Sequence, residues 1–380
     1  MKVGIITIHN SPSYGACLQT FALWKYISGI GVDCEVIDLR RPTHLDYKYS
    51  RHFHPMRAQA VSWKGQMMSY MQRMINYIRK NSSQSIKYQR FEEFNNQIRF
   101  SKRYRGLDEL YVNPPQYDVY ITGSDQVWNP MQPYCMEPYF LTFVNNPDSV
   151  KISYASSIGL ADLRPNEKEK FASWLESYDA IGVREVAAQK LLATFSSKPT
   201  TRVLDPTFLL KRECWESIAV VPELKRPYIL LFTLSYHPRL IRLVHEMSKK
   251  TNSLLVIIAP DSNHLEQVDC VVVNDAGPKE FLGYIKDAVM IVTDSFHGTV
   301  FSMLVGRGNF YSYIGKSNKK GSRIIDLLKL FNLENHLLSS SLQVNISSLM
   351  DIQLDRKVLN DSIEMERSKS MDFLAHFVHE

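Results

Sequence analysis

The segment Thr293-Asp294-Ser295-Phe296-His297-Gly298-Thr299 puts a proton-transferring side chain next to a place that can hold an anion. Before it, Ala288-Val289-Met290-Ile291-Val292 is apolar over the length of a buried strand, and the apolar stretch 300–305 after it suits a helix. That order sets His297 at the carboxyl end of a strand, where open α/β sheets bind ligands. Asp294 or Ser295 can cap the helix, which leaves backbone N–H groups and the positive end of the helix dipole beside the imidazole. A phosphate and a proton-donating His297 would share one small site. An isolated histidine more often only hydrogen-bonds within a tight turn, but the strand-end location reverses those odds.

A parallel feature occurs earlier, in Val119-Tyr120-Ile121-Thr122-Gly123-Ser124-Asp125-Gln126-Val127-Trp128-Asn129-Pro130. Here Asp125 can orient or deprotonate a sugar hydroxyl, and Gly123 permits close backbone approach. Asp125 as a helix N-cap fits the local sequence equally well. Trp128 can stack on a sugar face, although burial in a core is the commoner fate of a tryptophan. The loop His9-Asn10-Ser11-Pro12-Ser13-Tyr14-Gly15 joins a strand to a helix with several hydroxyl and amide groups but lacks G-x-G-x-x-G, so Asp38 is no evidence for a dinucleotide ribose. Gly315-Lys316-Ser317 resembles the end of a phosphate-binding P-loop, yet Phe310 stands where that motif needs glycine. Zinc-protease, calcium-loop and serine-hydrolase motifs are absent.

The elements that must position these groups follow an α/β rhythm. Strand 3–8, loop 9–15, helix 16–30 and strand 34–39 form a βαβ pattern. After an interruption the rhythm resumes with strands at 118–123, 151–155 and 180–184 and reaches 203–206. A second run has strands at 228–234, 254–259, 270–273, 289–293 and 309–313, and a helical tail covers 356–379. With 380 residues, 44% of them hydrophobic, the chain can build two packed cores. The expected organisation is α/β: two Rossmann-like domains facing a cleft, at 1–213 and 214–345, with a helical insertion at about 43–110 and a C-terminal helical tail, 346–380, docking back.

Charge is unevenly spread. Between Arg51 and Arg105 twelve Lys or Arg stand against Glu92 and Glu93, while the whole chain carries only +6. A basic segment on a mildly acidic body suits a local anionic partner, and no nucleic-acid module accompanies it. Trp63, Met67, Met71 and Met74 with Arg73, Arg79 and Lys80 can meet an anionic membrane surface; packing of the same stripe on its own domain is at least as reasonable. Five scattered cysteines with no C-x-x-C pair argue against a disulfide framework, and no signal peptide or transmembrane run is read, so the expected location is cytoplasmic, with peripheral contact at the inner membrane face.

Taken together, the motifs resemble the polysaccharide pyruvyl transferase family. The resemblance is carried by Asn10, Tyr14-Gly15 and Leu18-Gln19, the 123–129 block, Ser153-Tyr154-Ala155-Ser156-Ser157, Arg184-Glu185, Asp205-Pro206-Thr207 and the 293–298 block, in the family's order. It implies a glycosyltransferase-B-like fold, phosphoenolpyruvate as co-substrate and a pyruvate ketal on a sugar, with no cofactor or metal. The acceptor it suggests is a sugar or polyprenyl-diphosphate-linked glycan. His297 and Asp125 are then the catalytic pair. Arg184, Ser295, Gly298 and Thr299 fall on the donor side. Relatives can carry a basic residue where this chain has Ser295, so Lys316 and Arg323 are the candidates to replace that cation. Asn10, Tyr14 and Gly15, with Gly123, Ser124, Trp128 and Asn129, fall on the acceptor side. The competing readings are a nucleotide-sugar glycosyltransferase of the same fold and a non-catalytic glycan-binding relative.

Overall fold

The computed structural model describes residues 1–57, 71, 85–259, 268–315, 321–338, 340–342 and 345–379. Two six-stranded parallel sheets organise them. The first contains β1 (Lys2–Ile6), β2 (Asp33–Val36), β3 (Val119–Thr122), β4 (Val150–Ser156), β5 (Ala180–Val183) and β6 (Thr200–Arg202), in the order β2-β1-β3-β4-β5-β6. The second contains β7 (Tyr228–Phe232), β8 (Leu254–Ile258), β9 (Val271–Val272), β10 (Met290–Thr293), β11 (Asn309–Tyr313) and β12 (Leu337–Leu338), in the order β12-β11-β10-β7-β8-β9. Winding reverses once in each sheet, between β1 and β3 and between β7 and β10, and such a reversal opens a crevice at the carboxyl ends of the two strands.

Helices on both faces explain the composition of the strands. β3 and β7 are buried over their whole length, and accordingly read Val-Tyr-Ile-Thr and Tyr-Ile-Leu-Leu-Phe with no polar alternation. Each aliphatic side chain buried in this way contributes roughly 1.5–3 kcal/mol. In the first unit the helices are α1 (Tyr14–Gly29), α3 (Leu107–Val112), α4 (Pro165–Leu175) and α5 (Val186–Leu192), with α2 (Ser85–Asn95) interposed in sequence. The second run supplies α6 (Arg212–Ile218), α7 (Pro238–Lys250), α8 (Pro278–Asp287), α9 (Phe296–Leu304), α10 (Ser322–Leu330) and α11 (Ile346–Asp351) before the long α12 (Arg356–Ala375). α7 shows the local logic: Leu240, Ile241, Val244 and Met247 form one buried stripe while Arg239, Arg242, Glu246, Lys249 and Lys250 stay exposed. α9 is buried at all nine positions and accordingly carries no Asp, Glu, Lys or Arg.

By contacts, one unit holds β1 to β6 and the end of α12, and the other holds β7 to β12, α2 and the start of α12. The division falls after Leu209, four residues before the expected boundary at 213. α2, part of the basic insertion by sequence, clusters with the second unit, where Arg90 pairs with Asp275 at 2.9 Å and with Glu280 at 3.4 Å. The expected tail is shared. Arg356 donates to the carbonyls of Ser302, Met303 and Gly308 in the second unit, whereas Ser370 accepts from the Leu204 amide and Arg367 donates to the Phe208 carbonyl in the first.

Two strands depart from the sequence reading. The last ladder of the first sheet lies at Thr200–Arg202, because Val203 leads into a 3-10 turn at Pro206–Leu209, which begins with a proline that has no N–H to donate. β12 is too short for periodicity to reveal. Within the basic segment, Arg57 grips the buried Glu167 through two bonds of 2.5 and 2.6 Å, Arg99 pairs with Asp33 at 2.6 Å and Arg103 with Asp38 at 2.9 Å. With Arg90, four of its cations are thus neutralised by carboxylates outside the segment. Met71 is exposed, while Trp63, Met67, Arg73, Met74, Arg79 and Lys80 lie outside the described residues. No helix among the described residues is long and apolar enough to cross a membrane.

Candidate active site

Each sheet gathers polar side chains at its own point of reversal. In the second sheet β10 ends at Thr293, and α9 starts three residues later. Ser295 is the cap: its hydroxyl accepts from the Gly298 amide at 3.2 Å. Asp294 is therefore free of capping duty and reaches across to the end of β7. One of its oxygens accepts from the Leu234 amide at 2.6 Å, and the other accepts from the Thr233 hydroxyl and faces His237 Nε2, both at 3.0 Å. A carboxylate on Nε2 places the proton of a neutral ring there and leaves Nδ1 as the basic nitrogen. The His237 ring meets Tyr313 edge-on at 5.1 Å.

His297 sits in the first turn of α9, buried, with its ring edge-on to Phe296 at 5.1 Å between centroids. Above Phe296 lies the Arg323 guanidinium, 5.6 Å from the ring centre. Gly298 brings the helix against its strand, since a Cβ there would stand 2.3 Å from Thr293 Oγ1. Thr299 is locked, its hydroxyl 2.7 Å from that of Ser312 on β11. Two histidines, a carboxylate and a guanidinium thus meet the amino end of a nine-residue helix. That set can hold a phosphate and move a proton. Lys316 lies outside the described residues.

In the first sheet, backbone strain marks the same end. Asn10 after β1, Asp125 after β3 and Ala155 near the end of β4 have φ of 52°, 74° and 55°, the left-handed region that non-glycine residues enter only at a cost of order 1 kcal/mol or more. The β4–β5 register slips between Ser153 and Ser156 at the same place. Asp125 caps no helix: its carboxylate accepts from the Gln126 amide at 2.8 Å inside a turn, and it is half-buried. Gly123 is required, because a Cβ would lie 2.8 Å from that of Thr7.

Arg184, after β5, is buried between carboxylates. Nη1 donates to Asp205 at 2.8 Å and to Ser124 Oγ at 3.3 Å, and Nε donates to Glu185 at 3.0 Å. Burial works against its charge, but Glu185, Asp205 and Asp125 outweigh it and push the pKa of the guanidinium further up. Ser157 donates to the same oxygen of Glu185 at 2.8 Å, while the other oxygen is buried without a hydrogen-bond partner among the described residues. One cation facing three carboxylates leaves this crevice negative, which favours hydroxyl groups over anions.

Trp128 corrects an expectation. Its indole is fully buried, stacked on Phe140 at 4.9 Å and donating to the Tyr139 carbonyl at 2.8 Å, so it offers no face to a sugar. Asn129 is also buried, tying Gln126 and the Met131 amide at 2.7 and 2.9 Å, and thus shapes the loop. Tyr14 and Gly15 are buried in the first turn of α1.

Residues that the motif reading passed over complete this end of the sheet. His9 is buried, with Nδ1 3.0 Å from the Thr7 carbonyl and Nε2 3.2 Å from Asp38, which also accepts from Asn10 at 3.1 Å. Burial alone would raise the Asp38 carboxyl, but His9, Arg103 and Arg40 overcome it and hold the group well below the usual carboxylate range. His44 accepts the Arg41 amide at Nδ1, 3.0 Å, and so donates from Nε2 to the Asn10 carbonyl at 2.8 Å. Burial, reinforced by Arg41 and Arg40 against the Asn10 bond, pushes the His44 imidazole down to about 4.

A pH dependence follows. Unfolded histidine titrates near ~6.5, so between that value and about 4 the unfolded chain binds the extra proton. Stability from His44 is complete above about pH 6.5 and declines as pH falls toward 4, by roughly 1–2 kcal/mol after allowance for partial exposure. The depressed Asp38 carboxyl adds stability that is lost as pH falls below about 4. Unfolding midpoints from pH 7.5 to 4.5 check this: the His44→Gln variant should give a flatter curve than wild type, and parallel curves would contradict it.

Two doubly wound parallel sheets, each with a polar cluster at its own reversal, define an α/β protein of two Rossmann-like domains, the glycosyltransferase-B-like class. The solved structure of Arabidopsis thaliana UGT89C1 is similar at a TM-score of 0.51 and 10% identity over 98% of each chain, and that of OtsA at 0.51 and 9% over 99% of each. No match is found among curated proteins. The polysaccharide pyruvyl transferase family matches residues 14–310, and the chain belongs to that family. It is a transferase of polysaccharide pyruvylation.

Proposed function

We propose that the protein transfers the pyruvyl unit of phosphoenolpyruvate to two hydroxyls of a polysaccharide sugar, forming a ketal. The observation that carries this reading is the convergence of His297, Arg323 and the Asp294–His237 pair on the amino end of α9, an arrangement that suits a phosphate with proton-transferring rings beside it. Arg323, the helix amides and the capped turn neutralise the donor's phosphate. His297 gives a proton to the methylene carbon while a sugar hydroxyl bonds to the adjacent carbon. Asp125, with the Glu185 carboxylate in the same crevice, accepts the proton of that hydroxyl. The carbon–oxygen bond to phosphate then breaks, and inorganic phosphate leaves with that bond's electron pair. Attack by the second hydroxyl, whose proton is released, closes the ketal. His237, oriented by Asp294 through Nε2, is placed to take up a proton at Nδ1 and pass it to the departing phosphate. Arg184 braces the acceptor crevice by balancing its carboxylates.

Thermal unfolding with separate ligands tests the donor. Phosphoenolpyruvate at 100 times its dissociation constant should add ~2.7 kcal/mol, and Arg323→Met and His237→Asn should lose most of that shift. Stabilisation by a nucleoside diphosphate or nucleotide sugar, with none by phosphoenolpyruvate, would make the protein a nucleotide-sugar glycosyltransferase instead. Stabilisation by neither, together with binding of a glycan, would favour a non-catalytic relative.

A further inference from the structure

Arg41 is the buried cation that the proposed chemistry leaves unused. Its Nη2 donates to the His9 carbonyl at 2.5 Å, and its guanidinium carbon lies 5.9 Å from the ring centre of Tyr134. The Tyr134 hydroxyl in turn donates to the Gln126 carbonyl at 3.3 Å in the loop after β3. Arg41 therefore spans the reversal between β1 and β3, where a ligand of this sheet is expected. Its Nε is buried with no hydrogen-bond partner among the described residues.

The charges around it are already allotted. Asp38 is taken by His9, Asn10 and Arg103, and Asp46 lies 3.3 Å from Arg40. Among the described residues no carboxylate pairs with Arg41, and a buried guanidinium without a counter-ion is costly. The carbonyls that would repel an anion are occupied as well, that of His9 by Arg41 and that of Asn10 by the neutral His44. Four residues after His9, Ser13 is the N-cap of the sixteen-residue α1 and its side chain makes no capping bond, so the first-turn amides receive no acceptor from that side chain.

We propose that Arg41 and the strand-end loop it holds form a seat for a phosphate or diphosphate borne by the acceptor, an assignment that rests on the first unit being the acceptor side of the transferase. The neighbouring negative crevice of Asp125 and Glu185 would then take the sugar hydroxyls, so one sheet end reads both parts of a glycosyl phosphate. Neither part depends on the donor.

Calorimetric titration with inorganic pyrophosphate tests it. Wild type should bind, Arg41→Met should bind about tenfold or more weakly, and Arg41→Lys should fall between, because a lysine keeps the charge but loses the fork. Phosphoenolpyruvate binding should show the opposite pattern, surviving Arg41→Met and failing in Arg323→Met. Unchanged pyrophosphate affinity in a folded Arg41→Met protein would overturn the proposal, as would loss of that affinity in Arg323→Met alone. Should Arg41→Met not fold, the Arg41→Lys comparison decides in the same way. Pyrophosphate binding at Arg41 without any phosphoenolpyruvate binding would defeat the donor assignment and leave the anion seat standing. Geranyl diphosphate competing better than a free sugar phosphate would point to a lipid-linked source, and the reverse to a soluble one.

Discussion

The His297→Ala variant is expected to lose turnover by ~10²–10⁴-fold, the usual worth of a positioned proton-transferring histidine. Its unfolding midpoint should stay close to wild type, because the cap of α9 is Ser295 and the close contact with β10 is made at Gly298, neither of which the substitution touches. The same measurement on His237→Asn separates the two rings. If His297 protonates carbon, its loss removes the chemical step even with a donor whose phosphate is a better leaving group. If His237 assists departure of phosphate, a better leaving group should recover much of the activity of His237→Asn. Wild-type turnover in folded His297→Ala would remove that residue from the mechanism.

The Arg184→Met variant is expected to lose stability, not merely ligand affinity. The substitution leaves Asp205 and Glu185 buried without the cation they share, and breaking a buried pair by removing one partner costs about 3–5 kcal/mol. For a domain of this size that corresponds to a fall of roughly 10 °C in the unfolding midpoint. Adding Asp205→Asn should recover part of the loss, since it removes one of the unpaired charges; two independent losses that simply add would count against the brace. A variant that folds like wild type and fails only to bind phosphoenolpyruvate would return Arg184 to the donor's anions, the role its motif alone suggests.

Several features of the two sheet ends are legible in the amino-acid sequence. The apolar runs that became β3, β7, β10 and β11 are continuous because parallel strands are covered on both faces, and that covering is written into composition. His297 at a strand end and Gly123 at a close approach follow from the same local order. The choice between Asp294 and Ser295 as helix cap did not, since both are good caps. It was settled by Thr233, Leu234 and His237, which sheet pairing places beside Asp294 although they lie about sixty residues away in the chain.

Trp128 and Arg184 teach the same lesson in opposite directions. The tryptophan looked available and is core, because Phe140 and the Tyr139 carbonyl take its face and its N–H. The arginine looked like an anion ligand and is balanced by carboxylates from its own neighbourhood. The amino-acid sequence by itself determined the α/β class, the family and the two strand-end motifs, since those depend on patterns a few residues long. The tertiary structure alone decided which charges are neutralised, which rings are buried, and that Arg41 has no carboxylate partner among the described residues. These are properties of strand ends made neighbours by sheet order, and interactions that span tens of residues leave no local pattern to read.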